Sequence, residues 1–353
     1  MPEGHTVHRL AAAFVRGFAG QRVRMSSPQG RFSEAAQVDA MVLLGAEAVG
    51  KHLFLQLAPS ADVDPDSPVV RHVHVHLGLY GSWTFAGDPG FADAHAIGAP
   101  RLRVGEREEG LDGEGELDWR RLVPRPTVRL RVAGPHGLAD LTGPTACEVL
   151  DGAGRQKILE RLGPDPLRPD PEGTGRRRFV AAARRSRTTI GALLMNQQVI
   201  AGIGNIYRAE ALFRARLDPF VPGKDLSPGM LEGIWEDLVD LLDYGARTGW
   251  IVTTQVEHRE IEARILERSR GTRQNGDEDP GVVPREQSFY VYHRQTLPCR
   301  LCGTVIRSRD LAARTVFWCP RCQSVRSRRA AWSREHPAAA WALVPGGCSE
   351  VRP

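Results

Sequence analysis

The opening decapeptide, MPEGHTVHRL, sets a proline and a glutamate directly behind the initiator methionine. Proline is small enough for Met1 to be removed, which would leave Pro2 with a free secondary amine. An α-amino group titrates near about 8, against about 10.4 for a lysine ammonium. It therefore offers far more neutral nucleophile near neutral pH. Glu3, one residue on, could give or take a proton at the same centre. On position alone, a solvated terminus without a role is the commoner case. Lys51, at the head of GKHLFLQL, is a second candidate for proton or phosphate chemistry, and in isolation it too reads as a solvated side chain.

The strongest spacing lies near the other end. In CRLCGTVIRSRDLAARTVFWCPRC, Cys299 and Cys302 form one knuckle, Cys319 and Cys322 another, with sixteen residues between the pairs. That is the pattern of a structural zinc site. Four thiolates leave no open coordination position, so this zinc should hold a hairpin rather than perform chemistry. Arg307, Arg309 and Arg314 lie on that hairpin and suit phosphate contact.

Three weaker signals accompany these. In QQVIAGIGNIYRAEALF, a Gly-x-Gly turn joins two apolar helical patterns, and Asn205 opens the second. A helix start with free amides binds phosphate, although a turn of this kind is more often ordinary helix packing. RHVHVHLGLYGSW puts His72, His74 and His76 on one strand face, without the carboxylate partners a metal would want nearby. Leu79 and Tyr80, flanked by glycines, are either core or a wedge for a base stack.

These residues need a frame to position them. A helical stripe runs through Val7, Leu10, Ala11, Phe14, Val15 and Phe18, and strand-like segments separated by Gly/Pro breaks follow to about Gly134. Beyond Gly143-Pro144 the pattern turns helical, with helices expected over 148–162, 176–186, 190–195, 205–214 and 230–244. The expected class is α+β multidomain: a β-sandwich with a leading helix over 1–134, a helical helix-two-turn-helix domain with linker over 135–285, a four-cysteine zinc-finger hairpin over 286–325, and a basic tail over 326–353. Segments 88–122 and 269–286 read as polar insertions.

The 353 residues carry a net charge of +5, which is compatible with a polyanionic partner. Only Lys51, Lys157 and Lys224 among the 47 basic residues are lysines. Six cysteines are too few for a disulfide scaffold, and the clustering of four favours metal binding in a reducing compartment. No apolar run reaches membrane-spanning length, so a cytoplasmic protein without membrane contact is expected.

Together, MPEG, GKHLFL, HLGLYGS, RLGPDPL, AGIGNIYRAEALF and RTVFWCPRCQ resemble the Fpg/Nei family of bifunctional DNA glycosylases over nearly the whole chain. MPEG and the Leu79-Tyr80 pair resemble its endonuclease VIII branch. The resemblance implies that Pro2 attacks C1′ of a damaged nucleotide and that Glu3 is the general acid. Lys51 would bind phosphate beside the lesion and assist β-elimination, and Arg314 would grip phosphate and assist δ-elimination. Asn205 would hold the backbone, while Leu79 and Tyr80 would fill the gap left by the everted nucleotide. One structural zinc and damaged double-stranded DNA, or a single-stranded or bubble form of it, are the implied cofactor and partner, for a monomeric enzyme. Thr6 stands where the family often has Glu, Gly78 where endonuclease VIII often has Gln, and Asn196 where Asp is common. The expected activity is removal of oxidised pyrimidines with β,δ-elimination. The alternatives are an oxidised-purine (8-oxoguanine) glycosylase and a catalytically silent damage-binding zinc protein. A histidine-metal hydrolase would need a second metal.

Overall fold

The computed structural model describes residues 2–89, 91, 96–98, 118–259 and 283–324. Its first element, α1 (Gly4–Phe18), follows from the apolar spacing: Val7, Leu10, Ala11, Phe14 and Phe18 are buried. Val15, counted into that stripe from the sequence, points to solvent. Phe14 lies edge-on to Trp83 with ring centroids 4.7 Å apart, fixing the helix against the sheets.

Two antiparallel sheets complete this unit. One contains β2 (Val42–Val49), β3 (His52–Ala58), β4 (Arg71–His76) and β9 (Ala146–Leu150), in that spatial order. The other is ordered β1 (Arg24–Ser26), β7 (Val128–Ala133), β8 (Gly137–Thr142), β5 (Ser82–Gly87) and β6 (Ala96–Gly98). Alternation assigns the faces: Leu53, Leu55, Leu57, Val73 and Val75 from one sheet share a core with Trp83, Phe85, Leu130, Val132 and Leu141 from the other. A short α2 (Ala35–Val38) closes one flank.

The expected boundary at residue 134 is corrected. β8 pairs with both β5 and β7, and β9 completes the other sheet on β4, so the β unit runs through Leu150. Gly143, at φ 63°, turns the chain between these two strands instead of ending a domain. Glu148, read as helical, therefore lies in β9, and α3 (Gly152–Leu159) starts after Asp151, whose side chain accepts the Gly154 amide at 2.7 Å.

The helical unit holds α4 (Thr174–Arg184), α5 (Ile190–Leu193), α6 (Asn205–Arg214) and α7 (Pro228–Thr248). Ser227 caps α7, Pro228 occupies its first turn, and Gly249 ends it in a left-handed conformation. Phe179, Ile203, Tyr207, Leu212, Trp235 and Leu238 form its core. After α8 (Arg285–Ser288), β10 (Arg307–Leu311) and β11 (Arg314–Trp318) make the cysteine-bearing hairpin. Phe213 of α6 packs with Tyr290, Ile306 and Phe317 beneath it. No helix among the described residues is long and apolar enough to cross a membrane. The expected segments 88–122 and 269–286 lie largely, and the tail 326–353 wholly, outside the described residues.

Candidate functional site

The start of α6 has no side-chain cap of its own, because Gly204 occupies the cap position. Its orphan amides are satisfied by a residue from the other end of the chain. The Glu3 carboxylate accepts from Gly204 N at 3.0 Å, Ile206 N at 2.8 Å and Tyr207 N at 3.5 Å. A Cβ at position 204 would sit 2.4 Å from Cδ of Glu3, so only glycine permits this approach. The amide of Gly4 adds a bond to the Gly202 carbonyl at 2.8 Å. Pro2 and Glu3 are thereby both buried against the turn between α5 and α6.

Glu3 is completely buried, and burial pushes its pKa up; the charge of Lys51 and the amides of Ile206 and Tyr207 act against that. Lys51 reaches the same turn from the β2–β3 connection, donating to the Ile203 carbonyl at 2.7 Å. Burial lowers its pKa, opposed by Glu3 and reinforced by Arg314. Asp165, in the RLGPDPL stretch, holds this corner: it accepts from Gly50 N at 2.6 Å and from His8 Nε2 at 2.8 Å.

From the hairpin side, the Thr315 carbonyl accepts from Asn205 Nδ2 at 3.0 Å. Arg208, fully buried one turn along α6, donates to the Leu311 carbonyl at 3.0 Å, the Arg314 carbonyl at 3.3 Å, the Gly191 carbonyl at 3.4 Å and Asn205 Oδ1. Glu210, also fully buried, accepts from the amides of Tyr290, Val291 and Tyr292, each at 2.8 Å, and so fixes the approach to the hairpin. Sequence reasoning assigned no role to Asp165, Arg208 or Glu210. The available signal was an Arg and a Glu inside an otherwise apolar helical stretch, where charge survives burial only with dedicated partners.

The sulfur ligand atoms of Cys299, Cys302, Cys319 and Cys322 lie within 4.8 Å of one another. Two Sγ pairs are 3.9 and 3.5 Å apart. A tetrahedron with Zn–S bonds of about 2.3 Å has edges of about 3.8 Å, so the four residues fit one zinc ion. The Cys319 amide donates to Gln323 Oε1 at 2.9 Å, which holds the second knuckle closed.

His74 spends both ring nitrogens on neighbours, on His52 at 2.9 Å and on Glu148 at 2.8 Å, and the four-cysteine group is the only metal-capable cluster found among the described residues. Leu79 and Tyr80 occupy the β4–β5 turn, 39% and 79% exposed, and belong to no core. Gly78 precedes them at φ 66°, where a Cβ would fall 1.8 Å from the Thr145 hydroxyl; a glutamine has no room there.

A carboxyl group made more basic by burial and a lysine made less basic meet at this turn, a pairing suited to acid–base chemistry. Comparison with known proteins defines the class. Residues 162–256 match the Formamidopyrimidine-DNA glycosylase H2TH domain, and residues 297–325 match the zinc finger found in FPG and IleRS. The chain is 40% identical to Endonuclease 8 1 of Mycobacterium tuberculosis over 327 residues, covering 92% of this chain and 100% of that protein. It is 31% identical to the Formamidopyrimidine-DNA glycosylase of Symbiobacterium thermophilum over 336 residues, covering 92% and 89%. In fold it is similar to the MutM (Fpg) protein of Thermus thermophilus, with a TM-score of 0.60 at 24% identity over 91% of this chain and 98% of that one. A Lactococcus lactis Fpg in complex with abasic-site DNA gives 0.61 at 16% identity, covering 91% and 99%. The chain belongs to the Fpg/Nei family.

Proposed function

We propose that the protein is an endonuclease VIII-type DNA glycosylase and AP lyase that removes oxidised pyrimidines through an amine adduct at Pro2. The observation that carries the reading is the burial of Glu3 between Pro2 and the start of α6, within the field of Lys51. In this mechanism the unmasked Pro2 nitrogen forms a bond to C1′ as the C1′–base bond breaks. Glu3, whose acid form burial favours, gives a proton to the departing base, regains one as the Pro2 N–H is lost, and passes it to O4′ as the C1′–O4′ bond opens. A secondary amine yields an iminium that carries a fixed positive charge. That charge draws the C2′ C–H electron pair, so the proton leaves C2′ and the 3′ phosphate departs by β-elimination. A second elimination then releases the 5′ phosphate. Lys51, with its lowered pKa, can exchange protons in these steps, while Arg314 and Asn205 hold phosphate.

Leu79 and Tyr80 support nucleotide eversion, because an exposed bulky pair on a glycine-flanked turn can replace a lost base in the stack. The 40% identity to an Endonuclease 8 supports the pyrimidine branch over the purine branch. Duplexes carrying thymine glycol and 8-oxoguanine, compared under single turnover, test the proposal. Faster cleavage of the thymine-glycol strand, ending in phosphate at both sides of the gap, is expected. Faster release of 8-oxoguanine would overturn the branch, and binding without cleavage would overturn the activity.

A further inference from the structure

We infer that Arg208 is a positioning residue that sets both phosphate grips at once, the amide of Asn205 and the hairpin tip that bears Arg314. The inference rests on the glycosylase/lyase reading above. A guanidinium carries donors only, so its contact with Asn205 Oδ1 fixes which way that amide lies. The NH2 end is thereby turned toward the Thr315 carbonyl and the Tyr292 hydroxyl, which ties the start of α6 to the hairpin that carries Arg314.

The same guanidinium takes the carbonyls of Leu311 and Arg314, which are direct partners on the last rung of the hairpin. Between them Ala312 and Ala313 are both left-handed, at φ 54° and 57°, a conformation that alanine resists. The tip is therefore held by Arg208 as well as by its own turn. Among the described residues every acceptor of Arg208 is a neutral oxygen, from α5, α6, β10 and β11, and it forms no ion pair there. A buried charge without a carboxylate is an expensive way to stabilise a fold. Its donors reach the first turn of α5, the first residue of α6 and both ends of the hairpin turn, a span that lysine's single ammonium cannot cover.

The test is Arg208→Lys in the full-length, zinc-loaded protein on a duplex with one preformed abasic site, with zinc content and thermal melting as controls. The ratio of δ- to β-elimination ends should fall about tenfold, while the yield of borohydride-trapped adduct stays within about twofold of wild type because Pro2 and Glu3 are untouched. The slope of log affinity against log salt should shrink by about one phosphate contact. Arg314→Gln should reproduce this product pattern, and the double variant should add nothing to it. Arg208→Gln is the second variant should the lysine form not hold zinc. A folded variant with the wild-type product ratio, or full additivity with Arg314→Gln, overturns the assignment. A wild-type protein that traps no adduct overturns the glycosylase/lyase reading on which it rests.

Discussion

Glu3 is held by three amides at a helix start, which favours its anion, yet its complete burial outweighs them and raises its pKa. The acid form therefore persists to higher pH than in water and is lost as pH rises through the raised value. The single-turnover rate of base release should show that alkaline limb. Glu3→Gln should slow base release by at least about 100-fold and remove the limb. Trapping on a preformed abasic site should survive, and base release at the wild-type rate in that variant would remove Glu3 from the acid role. Burial has the opposite sign for Lys51, whose neutral form becomes accessible nearer neutral pH. Gly78 makes a steric prediction: Gly78→Gln, at a positive φ and against Thr145, should cost about 1–3 kcal/mol, read as a lowered melting temperature.

At the scale of elements, the zinc hairpin is a small module whose apolar contacts are with α6 and residues 290–291. Chelation of zinc should therefore weaken DNA binding by at least about tenfold, while the far-ultraviolet signal of the sheets and the main melting transition persist. Loss of both together would contradict an independent β core. Much of this level was legible in the sequence. The cysteine spacing and the Asn205–Arg214 helix are local signals, and both appear at the stated residues, while the helix expected over 230–244 extends from Pro228 to Thr248. The boundary at 134 failed because β8 and β9 are short, and because Gly143-Pro144 marks a turn between sheets as readily as a domain end. Arg208 and Glu210 were illegible for another reason: their partners are backbone carbonyls and amides up to about a hundred residues away, which leave no pattern in side-chain types.

At the scale of the molecule, two cores meet along a seam, and the hydrogen bonds crossing it include those of the candidate site: Glu3 to α6, Lys51 to Ile203, and Asp165 to Gly50 and His8. The same seam buries His5, and the outer face of the β2–β3–β4–β9 sheet holds His52; burial drives both down to about 3. Folded, both are neutral, whereas the unfolded chain takes up protons near the ordinary value. The stability they contribute is present above about 6.5 and lost as pH falls toward 3. For His5 the loss at pH 5 is about 2 kcal/mol. The melting temperature should fall between pH 7 and pH 5, and less so in His5→Gln; a flat profile would contradict neutral burial.

The central claim is that nitrogen of the second residue, once Met1 is removed, becomes bonded to deoxyribose. Borohydride reduction of the protein on an abasic duplex, followed by peptide mass spectrometry, tests it directly. The account predicts a sugar remnant on the N-terminal peptide at Pro2, and no adduct in Pro2→Gly. A remnant on Lys51 or any other internal lysine would contradict it.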